Sequence, residues 1–211
     1  KDNTYLSYNK VIGTSLDKEL YLAFQVIEYA LLAAPGAPLK QALLDAKIGK
    51  DVMSSYDNGI LQPIFSIIAK NANKEQKGEF LAVIKGTLRK LAACGLDKKS
   101  VRAGINYYEF QYREADFGSA PKGLMYGLQC LDSWLYGGDP AQNFGFRAVL
   151  DSLNEKIATG YFEQKIREWL LDDTTGVMVI MKPSQKLGAA KLYVCGLGYG
   201  YYYINGQSVT A

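Results

Sequence analysis

The chain has 211 residues, 48% of them hydrophobic, so it can bury one sizeable core, and a single domain is the simplest prediction. Its 24 basic and 21 acidic residues give a net charge of +3, and the basic residues are scattered singly or in pairs such as Lys98 and Lys99. This pattern is typical of a solvated surface and predicts no nucleic-acid partner and no membrane partner. No uninterrupted apolar run is expected to reach membrane-spanning length.

The sequence contains no histidine. A serine or cysteine nucleophile activated by an imidazole needs this side chain, and so does a zinc site of the HxxEH or HExxH type. These mechanisms are therefore excluded for the chain on its own. Cys94, Cys130 and Cys195 are widely spaced and form no CxxC pair, so neither a disulfide framework nor a thiolate metal site is expected. Unpaired thiols favour a reducing compartment.

The first half of the chain predicts a strand, two helices and a pair of strands. Ser15 is the expected N-cap of the first helix, whose apolar residues recur at helical spacing. The segment APGAPL ends this helix, and Pro38 opens the second one. The two later strands flank a turn at Asp57 to Gly59. The elements are a strand at Thr4 to Ile12, a helix with the stripe Leu20, Phe24, Ile27 and Leu31, a helix through Leu39, Leu43 and Leu44, and strands at Asp51 to Tyr56 and Pro63 to Lys70.

The second half predicts mainly helices. Asn73 and Gln76 form a capping-box pattern at the start of one helix, and Gly95 ends it. Two amphipathic patterns between Asp97 and Pro140 then predict two helices that pack together through facing apolar stripes, with Ser119 as the N-cap of the second helix. Their stripes are Val101, Ile105, Tyr108 and Tyr112, and Leu124, Leu128, Leu131 and Leu135; a helix with Phe146, Leu150, Leu153 and Ile157, a helix at Tyr161 to Leu171 and a strand at Val177 to Met181 follow.

This order of elements predicts an α+β fold. Mostly antiparallel strands with the helices on one face form a two-layer sandwich, because the sheet must cover its apolar side. The domain is expected to cover residues 1–186. Residues 187–211 are rich in Gly and Tyr and almost without charge. They fit either an edge hairpin with an NG turn or a terminal sequence that is foreign to the domain.

One predicted surface is a proline-rigid turn beside a strand with an exposed edge. An extended peptide could add to such an edge by β-augmentation, but the residues themselves favour a simple tight link between two helices. The residues predicted to contact a peptide on this surface are Pro35, Gly36, Ala37, Pro38, Leu39, Asp51 and Tyr56.

The helix from Asp97 onward carries tyrosines and a pair of opposite charges. Tyr107, Tyr108 and Tyr112 could line a peptide groove or pack in the core. Glu109 and Arg113 lie four residues apart, in the order that favours a structural ion pair on a helix surface. This pairing argues against Glu109 as a general acid or base, and no catalytic residue is predicted.

Several long strings of the sequence are distinctive. They are YLSYNKVIGTSLDKELYLAFQVIEYALLAAPGAPLKQALLDAKIGKDV, SYDNGILQPIFSIIAKNAN, INYYEFQYREADFGSAPKGL and SWLYGGDP. From about Tyr5 to Pro183 the sequence resembles the zinc metallopeptidases of the insulinase and pitrilysin class, family M16, and in particular its presequence-protease branch. The resemblance is to the second, non-catalytic domain of the N-terminal half.

The resemblance implies the LuxS/mitochondrial-processing-peptidase-like metallohydrolase fold and a role as structural and substrate-chamber domain. It places zinc in the catalytic domain of the parent enzyme and no cofactor in this chain. The implied partners are that catalytic domain, the C-terminal half of the same parent and an unfolded peptide substrate, while the isolated fragment could also form a homodimer. The parent is expected in the bacterial cytoplasm or, in a eukaryote, in the mitochondrial matrix or a plastid. The alternative function is a stand-alone interaction module that pairs with a separate catalytic subunit.

Overall fold

The computed structural model describes residues 4–115 and 118–183, together with the backbone of residues 191–196, 202–204 and 207–209. Its strands are β1 (Thr4–Val11), β2 (Asp51–Asp57), β3 (Ile64–Ala72), β4 (Gly176–Lys182), β5 (Lys191–Gly196), β6 (Tyr202–Ile204) and β7 (Gln207–Val209). The first five form one sheet in the order β2-β3-β1-β4-β5, with antiparallel neighbours, and β6 pairs with β7. The turn predicted at residues 205–206 lies outside the described residues.

The helices occupy the stretches between these strands. They are α1 (Lys18–Glu28), α2 (Pro38–Asp45), α3 (Lys77–Cys94), α4 (Lys98–Glu114), α5 (Lys122–Trp134), α6 (Phe146–Glu155) and α7 (Tyr161–Lys165). A π-helical turn, Tyr29–Ala33, continues α1, a second one, Ile166–Leu170, continues α7, and a 3-10 turn, Gln142–Gly145, precedes α6. The predicted capping box before α3 is confirmed, since Asn73 and Gln76 make both of its hydrogen bonds.

Side chains of the central strands alternate between two environments. In β1, Leu6 and Tyr8 are at most 1% exposed, whereas Tyr5 and Ser7 are half-buried. Successive side chains of a strand point to opposite faces, so one face of the sheet carries the core and the helices cover that face. The predicted α+β two-layer sandwich with a mostly antiparallel sheet is confirmed.

The start of α1 differs from the prediction. Asp17 is the N-cap, and its Oδ1 accepts a hydrogen bond from the backbone N–H of Leu20 at 2.9 Å. The predicted cap at Ser15 is wrong, because Ser15 is buried two residues too early and its Oγ has no hydrogen-bond partner among the described residues. An N-cap side chain must reach the N–H two or three residues after it, and Asp17 meets that condition.

The helical run Lys18–Asp45 is long and apolar enough, by length and composition alone, to cross a membrane. In the fold it is interrupted at Ala34, whose ψ of 149° is extended. Of its most apolar window, 61% is buried inside the fold. Packing against the sheet and the other helices accounts for this apolar composition.

The predicted packing of α5 against α4 is wrong. The stripe of α4 is buried at Val101 and Ile105 and packs against α1 and α6, where Tyr112 stacks on Phe146 with ring centroids 5.0 Å apart. Those neighbours already cover the apolar side of α4. Leu124 and Leu128 of α5 consequently stay exposed, at 57% and 46%, and so does Leu135, which directly follows the helix, at 66%. Leu131 is half-buried. The predicted cap of α5 is wrong as well: Pro121 occupies the N-cap position, not Ser119.

Candidate functional site

The turn between the π-helical turn and α2 presents less surface than the sequence predicted. Pro35 and Gly36 are exposed, with Gly36 at a φ of 71°, and Pro38 is half-buried at the first position of α2. Ala37 and Leu39 are 3% and 0% exposed and belong to the core. A peptide outside the fold could therefore contact Pro35, Gly36 and part of Pro38, but not the other two residues.

Strand β2 forms one edge of the sheet. Among the described strands it pairs with β3 alone, in a register that joins Asp51 to Lys70 and Tyr56 to Phe65. Asp51 is exposed at the start of the strand and lies 3.8 Å from the Nζ of Lys40. The unpaired N–H and C=O groups of such an edge are the groups that bind an added strand.

Tyr56, also predicted as a contact residue, lies in the helix layer. Its ring centroid is 6.0 Å from that of Phe24 and 6.4 Å from that of Phe65. Burial, and then the nearby charge of Asp17, raise the pKa of its hydroxyl well above the ordinary value. The side chain anchors β2 to the helices, and the backbone of β2 is what the free edge offers.

A cavity of about 370 Å³ opens beside the end of β2. Helices α1, α4 and α5 supply most of its wall, and the residue that follows β2 supplies the rest. The lining consists of three phenols, four amides and one carboxylate. These are Tyr21, Gln25, Asn58, Tyr108, Gln111, Tyr112, Gln129 and Asp132.

Hydrogen bonds tie α1 to the two other helices of this cavity. The hydroxyl of Tyr21 donates to Asp132 Oδ2 at 3.2 Å, and the hydroxyl of Tyr112 donates to Gln25 Oε1 at 3.1 Å. Burial raises the pKa of the Asp132 carboxyl above its ordinary value; the bond from Tyr21 opposes this shift and the charge of Asp57 adds to it. Asn58 Nδ2 is buried without a hydrogen-bond partner in the described part of the chain. The cavity therefore holds an acidic group and a free donor.

Two of the three tyrosines singled out in the sequence, Tyr108 and Tyr112, line this cavity. Tyr107 lies outside it, 43% exposed and stacked on Tyr29 with centroids 5.2 Å apart. Tyr21 and Asp132 were not predicted as site residues, because they are 111 residues apart and meet only in the folded chain. The residues four positions away from them on α1 and α5 form no motif that could have identified the site.

Glu109 and Arg113 lie on the outer side of α4. Arg113 Nη1 is 3.5 Å from Glu109 Oε1, and the side chains are 57% and 30% exposed, respectively. Within residues 4–115 and 118–183 there is no group of three or more His, Cys, Asp or Glu residues that could hold a metal ion. A catalytic zinc site requires three protein ligands, so the described residues do not fit zinc.

Comparison with known proteins identifies the family to which this chain is similar. Residues 1–108 match the profile of the peptidase M16 inactive domain. Protein HypA of Clostridium perfringens is 39% identical over 188 residues, which are 89% of this chain and 19% of HypA. Presequence protease 1 of Arabidopsis thaliana, described as chloroplastic/mitochondrial, is 32% identical over 173 residues, which are 80% of this chain and 16% of that protein.

A solved structure agrees with these sequence matches. The inactive peptidase domain of a proposed zinc protease from Bordetella parapertussis superposes with a TM-score of 0.69 at 11% identity, over 87% of this chain and 92% of that one. The fold is thus that of an M16 inactive domain. The chain belongs to the peptidase M16 family, which confirms the resemblance drawn from the sequence. It spans less than a fifth of the length of the two curated relatives.

Proposed function

We propose that this chain is a non-catalytic wall domain of a zinc-dependent metalloendopeptidase that degrades unfolded peptides. Three observations support the proposal: the match to the M16 inactive domain, relatives that are named presequence proteases, and the absence of histidine from the sequence. Because the relatives are more than five times longer than the matched segment, the catalytic domain and the second half of the enzyme belong to the same longer polypeptide. We place that enzyme in the bacterial cytoplasm, or in mitochondria or plastids if it is eukaryotic.

The free edge of β2 is the observation that carries the substrate-binding part of this proposal. An unfolded peptide is an extended chain with unpaired backbone groups, and it gains hydrogen bonds by adding to the free edge of β2. This contact is independent of side chains, so it suits an enzyme that accepts many sequences. The domain would hold the peptide while another domain cleaves it.

The exposed side of α5 is the proposed contact with the rest of the enzyme. Trp134, the last residue of the helix, is 62% exposed, and Leu135, which follows it, is 66% exposed. The helix carries only Lys122 and Asp132 as charged residues. Apolar surface of this kind is costly to leave in water, and the parent polypeptide supplies several hundred further residues to cover it. We therefore assign this face to the parent's other domains and not to a second copy of the chain.

Zinc and activity measurements test the non-catalytic role. The purified chain is expected to retain no stoichiometric zinc and to leave unfolded peptides intact, while the parent gene encodes HxxEH upstream of Lys1. Cleavage by the isolated chain that a chelator abolishes would contradict the proposal.

Hydrogen exchange tests the role of the edge. In an antiparallel edge strand every second N–H points away from the sheet. Adding an unfolded peptide should therefore slow exchange at alternate amides of residues 51–57, and a peptide that is N-methylated at every second position should not. Protection of all amides alike, or of none, would contradict β-augmentation.

A stand-alone interaction module is the alternative function. The exposed face of α5 favours it to the same degree, because a separate catalytic subunit could cover that face as well as a covalently linked domain could. The reading frame of the parent gene distinguishes the two proposed functions. A reading frame without HxxEH, in a cell where the chain co-purifies with a distinct zinc peptidase, would favour the module.

A further inference from the structure

We propose that the cavity between α1, α4 and α5 binds a cationic group, an ammonium or a guanidinium, of the peptide that lies along β2. The placement of the peptide rests on the function proposed above; the preference of the cavity for a cation rests on its lining alone. The cation is either a lysine or arginine side chain or the free amino terminus of the peptide.

The charge of the lining selects for a cation. Asp132 is the carboxylate of the cavity, and no lysine or arginine is among the eight lining residues that the structure describes. Asp132 also forms no ion pair within the described part of the chain, and Asp57 lies close enough for its charge to act on it. A half-buried carboxylate without a counter-ion attracts a positive group more strongly than a carboxylate in open water does.

The aromatic rings of the lining also favour a cation. The faces of Tyr21, Tyr108 and Tyr112 carry the negative side of the ring quadrupole, which attracts ammonium and guanidinium groups. The chain uses this interaction elsewhere, since Lys156 Nζ lies 4.9 Å from the ring centroid of Tyr161. Burial raises the pKa of the Tyr108 hydroxyl, so this phenol stays neutral and does not compete with Asp132 as an anion.

Asn58 joins the cavity to the edge strand. It follows Asp57, the last residue of β2, and its Nδ2 is buried without an acceptor in the described structure. A buried donor of this kind ordinarily has a partner. The backbone carbonyl of a peptide that leaves the β2 edge would supply that acceptor, and a cationic group next to it would reach Asp132.

Peptide binding to the full chain tests this inference. The probe is an unfolded peptide with an acetylated amino terminus and one lysine, compared with the same peptide carrying norleucine at that position. Binding is expected to be about tenfold tighter for the lysine peptide. Asp132→Asn should remove most of that difference, whereas Asp151→Asn, at an exposed position of α6, should preserve it. A norleucine peptide with a free amino terminus shows whether the terminal ammonium can take the place of lysine.

A second probe separates this inference from the β2 proposal. Butylammonium should shift the ring resonances of Tyr108 and Tyr112 in the wild-type chain but not in Asp132→Asn, while neutral butanol should shift neither. Should Asp132→Asn fail to fold, Tyr108→Leu tests the same contact. Equal binding of the lysine and norleucine peptides, together with no preference for butylammonium over butanol, would overturn the cationic site. A preference for butylammonium without protection of β2 would retain the site and reject the edge.

Discussion

Helices α1 and α5 have comparable amphipathic sequences and opposite environments. In the described structure, α1 buries seven of its 11 residues, whereas Ser133 is the buried residue of α5. The difference lies in the neighbours: α1 lies on the sheet beside β2 and contacts α4 and α6, while α5 packs mainly on the 3-10 turn before α6. An apolar stripe therefore indicates that a helix has a face to bury, but it does not identify the surface that covers this face.

The cavity lies at the boundary between these two regions. Tyr21 and Gln25 come from the packed helix α1, and Gln129 and Asp132 come from the loosely packed helix α5. A site at such a boundary can be stabilised from two sides, because a bound peptide and a docked neighbouring domain both add contacts to α5.

The largest expected effect contrasts a leucine of the packed region with the leucine that directly follows α5. Leu31 is fully buried, so Leu31→Ala should lower the free energy of unfolding by about 2–5 kcal/mol, the cost of lost burial and of the cavity left behind. Leu135 is 66% exposed, and Leu135→Ala should change the stability of the isolated chain by less than about 0.5 kcal/mol. Urea denaturation monitored by circular dichroism measures both changes.

The same pair of variants in the longer parent sharpens the contrast. If neighbouring domains cover α5, Leu135→Ala should cost more in the parent than in the isolated chain, while the effect of Leu31→Ala should be alike in both. Equal costs of the two variants in the isolated chain would mean that α5 is packed in solution, and the comparison of α1 with α5 would fail.

Lys10 offers a smaller test inside the packed region. It is 1% exposed, and its Nζ donates to the carbonyl oxygen of Asp172. Burial lowers the pKa of Lys10 below its ordinary value of 10.5; the charges of Asp172 and Asp173 oppose this shift, and that of Lys85 adds to it. Between the lowered pKa and 10.5 the unfolded chain binds more protons than the folded chain, so stability rises with pH in that window.

Lys10→Met removes this dependence. The free energy of unfolding of the wild type, relative to Lys10→Met, should rise by at most about 1.4 kcal/mol per pH unit as the pH approaches 10.5. Urea titrations between pH 7 and 10.5 measure it, with Lys90→Met at an exposed position of α3 as the control. A difference that falls as the pH rises would contradict the burial of a charged lysine.

The order of the elements could be read from the sequence because each signal is local. Strand alternation in β1 and the helical spacing in α3 involve residues a few positions apart, and the capping box at Asn73 and Gln76 is contained in four residues. The cap of α1 was predicted wrongly because a local pattern could not separate Ser15 from Asp17, which both have capping side chains. Only the point at which the backbone turns helical decides between them.

The site depended on contacts between distant residues. Tyr108 and Tyr112 share one helix, so their spacing predicted a common surface, whereas Asp132 joins them only because α1 holds both α4 and α5. Lys10 was missed for the opposite reason. A lysine in a strand is expected in water, and its burial depends on a carbonyl acceptor that lies 162 residues away.

The smallest expected effect is that of the ion pair on α4. Glu109 and Arg113 are in contact at 3.5 Å, but their exposure allows water and salt to screen the attraction. In the isolated chain a double-mutant cycle of Glu109→Gln and Arg113→Gln should give a coupling of about 0.2–0.5 kcal/mol, which decreases in high salt. If α4 carries an interface in the parent, the coupling should be larger there, because a neighbouring domain excludes water from the pair. Equal coupling in the isolated chain and in the parent would mean that the Glu109–Arg113 pair stays exposed to solvent in both. The face of α5 would then be the stronger candidate for the contact with the rest of the enzyme.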